Sequence, residues 1–358
     1  MLVSALRRRR VRTQREVYVR SSNQQTAFME MNSLCSLLLA SWLVFGLWSN
    51  VATAEGKHCR YVRFATLPVQ TSRVSPYIEG TINGVPMMVL VDTGSEETSL
   101  TRPLAERAHL VLAHTAVENY GLSGLSDRYR TLVDDVTFGP VHWRRANLPV
   151  VWQLAGDLHL DAILGANFLF RNDVEIVLSE EEIRFFRPEG CDDTFLAYWD
   201  ENASFVPTIS GGPNDARPMI KILINGKPFK ALIDSGAMHS AIDIKAAESV
   251  GVTRPDNIGE DVKATVGVGT HVVQSWVGTF SKIEVGSESI KGAKVDVLDM
   301  WGSIKSDSPT RSTSEMLEDR FEVILGADFL RAHRVLFAVS QRRMYFSYLK
   351  RQIFLSGR

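Results

Sequence analysis

The chain has 358 residues, 45% of them hydrophobic and 23% charged, with a formal net charge of −1. That length allows two domains of ordinary size, and that balance is the one soluble globular proteins show. A near-zero charge gives the chain as a whole no electrostatic pull toward nucleic acid.

The charge is unevenly spread. Residues 1–20 hold seven arginines and one acid, Glu16, and a basic run of this kind can be a nucleic-acid arm. Here an apolar stretch of 15 residues follows at 34–48, and that order suggests export. The stretch is short for a membrane span, which needs about 20 residues, but it suits the core of a signal peptide. Ala52-Thr53-Ala54 supplies a small-x-small cleavage pattern before the polar Glu55. Residues 1–54 therefore read as a signal peptide, with Glu55 as the mature N-terminus, in a protein that is periplasmic or secreted. The alternative is an uncleaved signal that anchors the chain in the membrane. With cleavage, no stable membrane span remains, and the rest of the chain carries 33 basic against 39 acidic residues, which gives nucleic acid no reason to bind. Cys59 and Cys191 also remain, an even number in an oxidising compartment, and are predicted to pair.

The rest of the chain is a repeat. Residues 76–95 read PYIEGTINGVPMMVLVDTGS, and residues 218–237 read PMIKILINGKPFKALIDSGA, at a constant offset of 142. Each is an apolar strand, an Asn-Gly turn and a second apolar strand, the strongest short signal for a β-hairpin. Short helices are predicted at 102–110 and 244–250. Glycine-bearing turns follow: Gly121 and Gly124 in the first half, Gly267 and Gly269 in the second. Further on, DAILGANFL at 161–169 matches EVILGADFL at 322–330, and a strand-turn-strand follows each. The offset there is 161, so the second half carries 19 extra residues, assigned to 301–318, a stretch rich in Ser, Thr, Asp and Pro that suits an exposed loop. The organisation is thus a signal peptide at 1–54, lobes at 60–189 and 218–350, and a linker at 190–217. Short strands and turns dominate, so the fold class is all-β with short helices.

Two Asp-[Thr/Ser]-Gly loops, each ending an apolar strand and each followed by an apolar pair and a glycine, resemble the active-site signatures of aspartic peptidases. The compact two-hairpin lobes resemble the retropepsin-like branch. The resemblance covers about 75–188 and 217–350. It implies two β-barrel lobes related by a pseudo-two-fold axis, a monomer whose lobes pair within one chain, and a polypeptide substrate. It also implies that Asp92 and Asp234 form the catalytic pair. The chemistry explains the residue types. Two like charges about 3 Å apart cannot both ionise, so the pair shares one proton. The ionised member takes a proton from water, and the protonated member donates to the substrate carbonyl.

The resemblance assigns support to the neighbours. Thr93 and Ser235 would hydrogen-bond across the lobe interface. Gly94 and Gly236 would let backbone approach the carboxylates closely. Ser95 would hydrogen-bond Asp92 from outside, whereas its counterpart Ala237 has no hydroxyl, making the lobes unequal. Leu164-Gly165 and Leu325-Gly326 would pack beneath the loops, with Asn167 and Asp328 structural. Gly121, Gly124, Gly267 and Gly269 occupy the position of mobile flaps.

Other constellations fail. No Gly-x-Ser-x-Gly elbow occurs, Gly267-Val268-Gly269 lacks the third glycine of a dinucleotide loop, and the eight histidines show no metal-ligand spacing. His239 reads as a packing or surface residue. No cofactor and no metal are expected. The alternative to an endopeptidase is a peptide-binding module that uses the same cleft without turnover; Ala237 keeps that reading open.

Overall fold

The computed structural model describes residues 59–72, 75–115, 120–121, 124–125, 129–151, 160–209, 215–254, 263–265, 273–302 and 320–355. The expectations for residues 1–54, for Gly267 and Gly269, and for all but the start of 301–318 fall outside this set.

Each half opens with the hairpin that its sequence dictates. Strands Tyr77–Ile82 and Val85–Val91 pair across Asn83-Gly84, and strands Met219–Ile224 and Lys227–Ile233 pair across Asn225-Gly226. All four turn residues have positive φ, at 47° and 82° in the first half and 50° and 84° in the second. That is the turn whose twist matches the flanking strands, and Asn and Gly adopt it most readily. Alternation sets the inward faces: Ile78, Ile82, Val89 and Val91 are buried in one lobe, and Ile220, Ile222, Ile224, Ala231 and Ile233 in the other. Burying each of the larger of these side chains is worth about 1.5–3 kcal/mol.

The second strand of each hairpin is then flanked in parallel by the Ile-Leu-Gly segment. Ala162, Ile163 and Leu164 lie opposite Val89, Leu90 and Val91, and Val323, Ile324 and Leu325 lie opposite Ala231, Leu232 and Ile233. Around these the strands close into two six-strand rings. In the first, 77–82, 85–91, 162–164, 99–101, 141–151 and 129–138 follow in order, and 129–138 pairs back onto 77–82. In the second, 219–224, 227–233, 323–325, 241–243, 288–298 and 273–285 do the same.

The helices sit where they were predicted but are shorter, Arg102–Arg107 and Ile244–Ser249. Thr101 and Asp243 cap them, accepting hydrogen bonds from the amides of Leu104 and Lys245. Both stop because the chain turns left-handed soon after, at His109 (φ 51°) and Gly251 (φ 80°).

A shared sheet joins the halves. Val174, Glu175 and Ile176 of the first pair antiparallel with Phe337, Leu336 and Val335 of the second. Segment 190–217, expected to be a plain linker, contributes the strand Ser204–Ile209. It pairs with Arg343–Tyr348 on one side and with Met219–Ile224 on the other, so it extends the shared sheet into the second ring. Ser204–Ile209 reads SFVPTI, without a clean alternation, and lies just before a Gly/Pro-rich stretch, so the sequence carries no strand signal there. A buried ion network crosses the same sheet. Glu175, fully buried, accepts from Arg334 at 2.6 Å, Arg184 at 3.2 Å and the Tyr198 hydroxyl at 2.8 Å. Both oxygens of that carboxylate are thereby hydrogen-bonded, which a buried charge requires. Cys59 and Cys191 form a disulfide that ties the start of the first lobe to the beginning of segment 190–217.

Candidate active site

Asp92 and Asp234 each follow the second hairpin strand directly, and each is held by the same two layers. Beneath, their amides donate to Leu164 O (3.0 Å) and Leu325 O (2.9 Å), which fixes the loops on the Ile-Leu-Gly segments. Around each carboxylate, Oδ1 accepts two backbone amides: Gly94 (2.8 Å) and Ser95 (3.0 Å) for Asp92, and Gly236 (2.9 Å) and Ala237 (3.1 Å) for Asp234.

The loops lock across the lobe interface. Thr93 Oγ1 donates to Ile233 O (2.7 Å) and accepts from the Ser235 amide (2.9 Å). Reciprocally, Ser235 Oγ donates to Val91 O (2.7 Å) and accepts from the Thr93 amide (3.0 Å). Both residues are fully buried, so all four polar groups depend on this grip. The glycines are required by approach. A Cβ on Gly94 would lie 2.3 Å from Asp234 Cγ, and one on Gly236 would lie 2.4 Å from Asp92 Cγ. Gly165 and Gly326 answer to the same logic one layer down, where a Cβ would strike the backbone of Glu97 and His239.

The two carboxyl groups are therefore neighbours across the interface. Each aspartate is partly buried. Desolvation is the largest influence on both and lifts each above the usual carboxylate range. For Asp92 the charge of Asp234 and the hydrogen bond to it add to that rise, against the amides of Gly94 and Ser95, and it ends well above the range. For Asp234 the hydrogen bond from Asp92, the amides of Ala237 and Gly236, and the charge of Arg217 pull back down. The arrangement favours one proton on the pair rather than two charges.

The structure corrects one assignment. The Ser95 hydroxyl donates to Glu97 O at 3.0 Å, away from Asp92. Its amide does reach the carboxylate, but Ala237 offers the same amide, so position 95/237 does not make the lobes unequal. Asn167 and Asp328 are structural, as expected. Asn167 Oδ1 accepts from the amide and hydroxyl of Thr98, both at 2.9 Å, and Asp328 Oδ1 accepts from those of Ser240 at 3.0 and 2.6 Å. His239 packs against Gly326 through its backbone, with its Nδ1 buried and without a hydrogen-bond partner. Gly121 pairs with Gly124 and Tyr120 with Leu125 in a two-stranded sheet. Among the described residues no cluster of His, Cys, Asp or Glu could hold a metal ion.

Two residues near the pair were not anticipated. Arg217 binds Asp215 through two nitrogens (2.9 and 2.7 Å) and crosses to Glu96 of the other lobe (3.0 Å). Ser75 is buried and donates to Gly236 O at 3.0 Å. Both stand one residue before the repeat as it is legible, at Pro76 and Pro218, and nothing in their types suggests a common position. Extending the ungapped offset by one residue would have found them.

A family model for aspartyl protease matches residues 78–168 and 220–329. No curated protein matches the chain. Among solved structures, an aspartic proteinase from Irpex lacteus is similar at 15% identity and a TM-score of 0.48, over 82% of this chain and 98% of that one.

Proposed function

Since the chain belongs to the aspartyl protease family, we propose that it is an endopeptidase in which water activated by Asp92 and Asp234 attacks the peptide carbonyl. The carrying observation is the proximity of two carboxyl groups, one from each lobe, each accepting two backbone amides. In this reading the ionised aspartate takes one proton of the bound water as its oxygen attacks, and the protonated aspartate donates to the substrate carbonyl as the tetrahedral intermediate forms. On collapse the proton taken from water goes to the leaving amine, and the intermediate's hydroxyl returns its proton to the aspartate that gave it. Thr93, Gly94, Ser235 and Gly236 hold the pair in place, and the hairpin through Gly121 and Gly124 serves as a flap over bound polypeptide.

The substrate is an exported or extracytoplasmic polypeptide. The signal-like segment 1–54 and the Cys59–Cys191 disulfide both fit an oxidising compartment outside the cytoplasm. The working species is a monomer, because one chain supplies both halves of the grip. Kinetics on a fluorogenic peptide library across pH 3–8, with and without a statine-type transition-state analogue, test the reading. We expect inhibitable cleavage with a bell-shaped pH profile. The limbs belong to the pair rather than to either aspartate alone. Peptide binding without cleavage at any pH would replace the endopeptidase with a binding module.

A further inference from the structure

Resting on the reading of the site as that of an endopeptidase, we infer that the second lobe carries a specificity surface the first lobe lacks. It is an apolar cluster with Trp301 and Phe321 on its rim, and it takes a large apolar or aromatic side chain of the substrate on one side of the scissile bond only. The cluster has a floor and a rim. Ala241, Leu298 and Ile324 are buried, and Ala237, Trp301 and Phe321 pack on them while staying partly exposed. Ala237 joins the cluster to the chemistry, because its amide donates to Asp234 Oδ1 at 3.1 Å. The apolar surface thus begins at a residue in contact with the carboxyl pair, and a polypeptide laid across that pair has a side chain within reach of it.

The aromatic rim is held in place, and its polar atoms are already engaged. The rings of Trp301 and Phe321 lie 5.1 Å apart, and the Arg320 guanidinium lies 5.2 Å from the Trp301 ring centre. Trp301 Nε1 donates to Phe321 O and the Trp301 amide to Asp299 Oδ1, both at 3.2 Å. With its one polar atom satisfied, the indole offers a ligand only carbon. A partly exposed apolar surface next to polar groups that fix orientation is the usual make-up of a ligand cleft. The first lobe does not repeat it. The strand register is the same, with Ser99 opposite Ile163 as Ala241 is opposite Ile324. Yet Ser95 and Ser99 stand where the second lobe has Ala237 and Ala241, and Leu160 stands where it has Phe321. The apolar cluster of the first lobe, built on Tyr77, Val151, Leu160 and Ile163, includes no residue of the Asp92 loop.

Mapping of cleavage sites in a mixed peptide library by mass spectrometry is the first test. It should show aromatic or large aliphatic residues enriched on one side of the scissile bond and not on the other. Two fluorogenic peptides that differ only by Phe or Ala at that place then test the residues. Trp301→Ala should lower the Phe-over-Ala ratio of kcat/KM by about tenfold or more. Phe321→Leu, which copies Leu160, should lower it by less. A merely structural role predicts activity falling on both peptides together, with the ratio unmoved. That result, or a library with the same preference on both sides, would overturn the inference. If Trp301→Ala does not fold, the ratio in Phe321→Leu decides. The functional reading fails separately: should the wild type cleave neither peptide, their equilibrium binding is compared instead. Tighter binding of the Phe peptide, weakened in Phe321→Leu, still supports the inference, and equal binding of the two peptides sinks it.

Discussion

At Thr93 and Ser235 the two lobes are interchangeable: each side chain makes the same two bonds to the other's loop, at 2.7 to 3.0 Å. At Ser75 and Arg217 they are not, although both positions stand equally far from their aspartates and both cross the same interface. The difference separates two requirements. Bringing two carboxyls together is a problem of shape, solved identically from both sides because each polar group in the grip is buried and must be satisfied. The contacts at 75 and 217 are under no such constraint, and a hydroxyl serves on one side where a guanidinium serves on the other.

The sharpest attack on the symmetric part is at the aspartates. Asp92→Asn and Asp234→Asn should each lower kcat on a fluorogenic peptide by about 10⁴-fold or more, and the double variant should be no worse than either single. Substantial activity in one single variant would mean that the two halves are not one catalytic unit. Adding a methyl at the crossing comes next. Gly94→Ala and Gly236→Ala should both cost at least about 10²-fold in activity, since each new Cβ drives the opposite carboxyl from a position that must hold to a fraction of an ångström. Unequal losses would show that one loop can yield.

Below these stands the one covalent asymmetry. The Cys59–Cys191 bridge spans 132 residues and ties the start of the first lobe to segment 190–217, with no counterpart in the second half among the described residues. Cys59→Ser with Cys191→Ser should lower unfolding stability in urea by about 4 kcal/mol, while leaving the pH limbs of kcat/KM where they were. Thr93→Val and Ser235→Ala each strand a buried amide and a buried carbonyl, and should cost about 1–3 kcal/mol apiece. Matching values in urea melts would confirm that the grip is shared evenly.

The mildest test concerns Asn167 and Asp328, equivalent positions with different chemistry. Burial raises the Asp328 carboxyl above its ordinary value, against the hydrogen bonds from Ser240, Leu355 and Phe329. A folded pKa above the unfolded one means that the native state holds the proton longer. The contribution of Asp328 to stability is therefore full below about pH 4, the unfolded carboxylate value, and declines as pH rises toward the folded value. Asp328→Asn should remove that decline, giving the second lobe the pH-independence that Asn167 confers on the first. Urea melts at several pH values above 4 would show it; parallel slopes in wild type and variant would contradict it.

The repeat made most of this legible beforehand. An ungapped offset of 142 gave the hairpins, the aspartates, the grip residues and the crossing glycines, because each is fixed by backbone geometry that only a few residue types satisfy. What stayed hidden depends on side-chain direction and on partners distant in sequence. The Ser95 hydroxyl was free to choose between Asp92 and Glu97 O, and spacing does not tell which it takes. Arg217 meets Glu96 across 121 residues of chain, a pairing visible only once the lobes are docked. The strand Ser204–Ile209 has no apolar alternation of its own and is made a strand by its pairing with Arg343–Tyr348 and Met219–Ile224.

The continuity of the chain has a consequence of its own. Were the two lobes separate copies of one subunit, every residue would appear twice, and an arginine at one of these positions would stand at both. Here residues 75 and 217 are distinct codons. The two halves can therefore diverge one position at a time, and a left and a right hand can be given different duties without either losing its hold on the other.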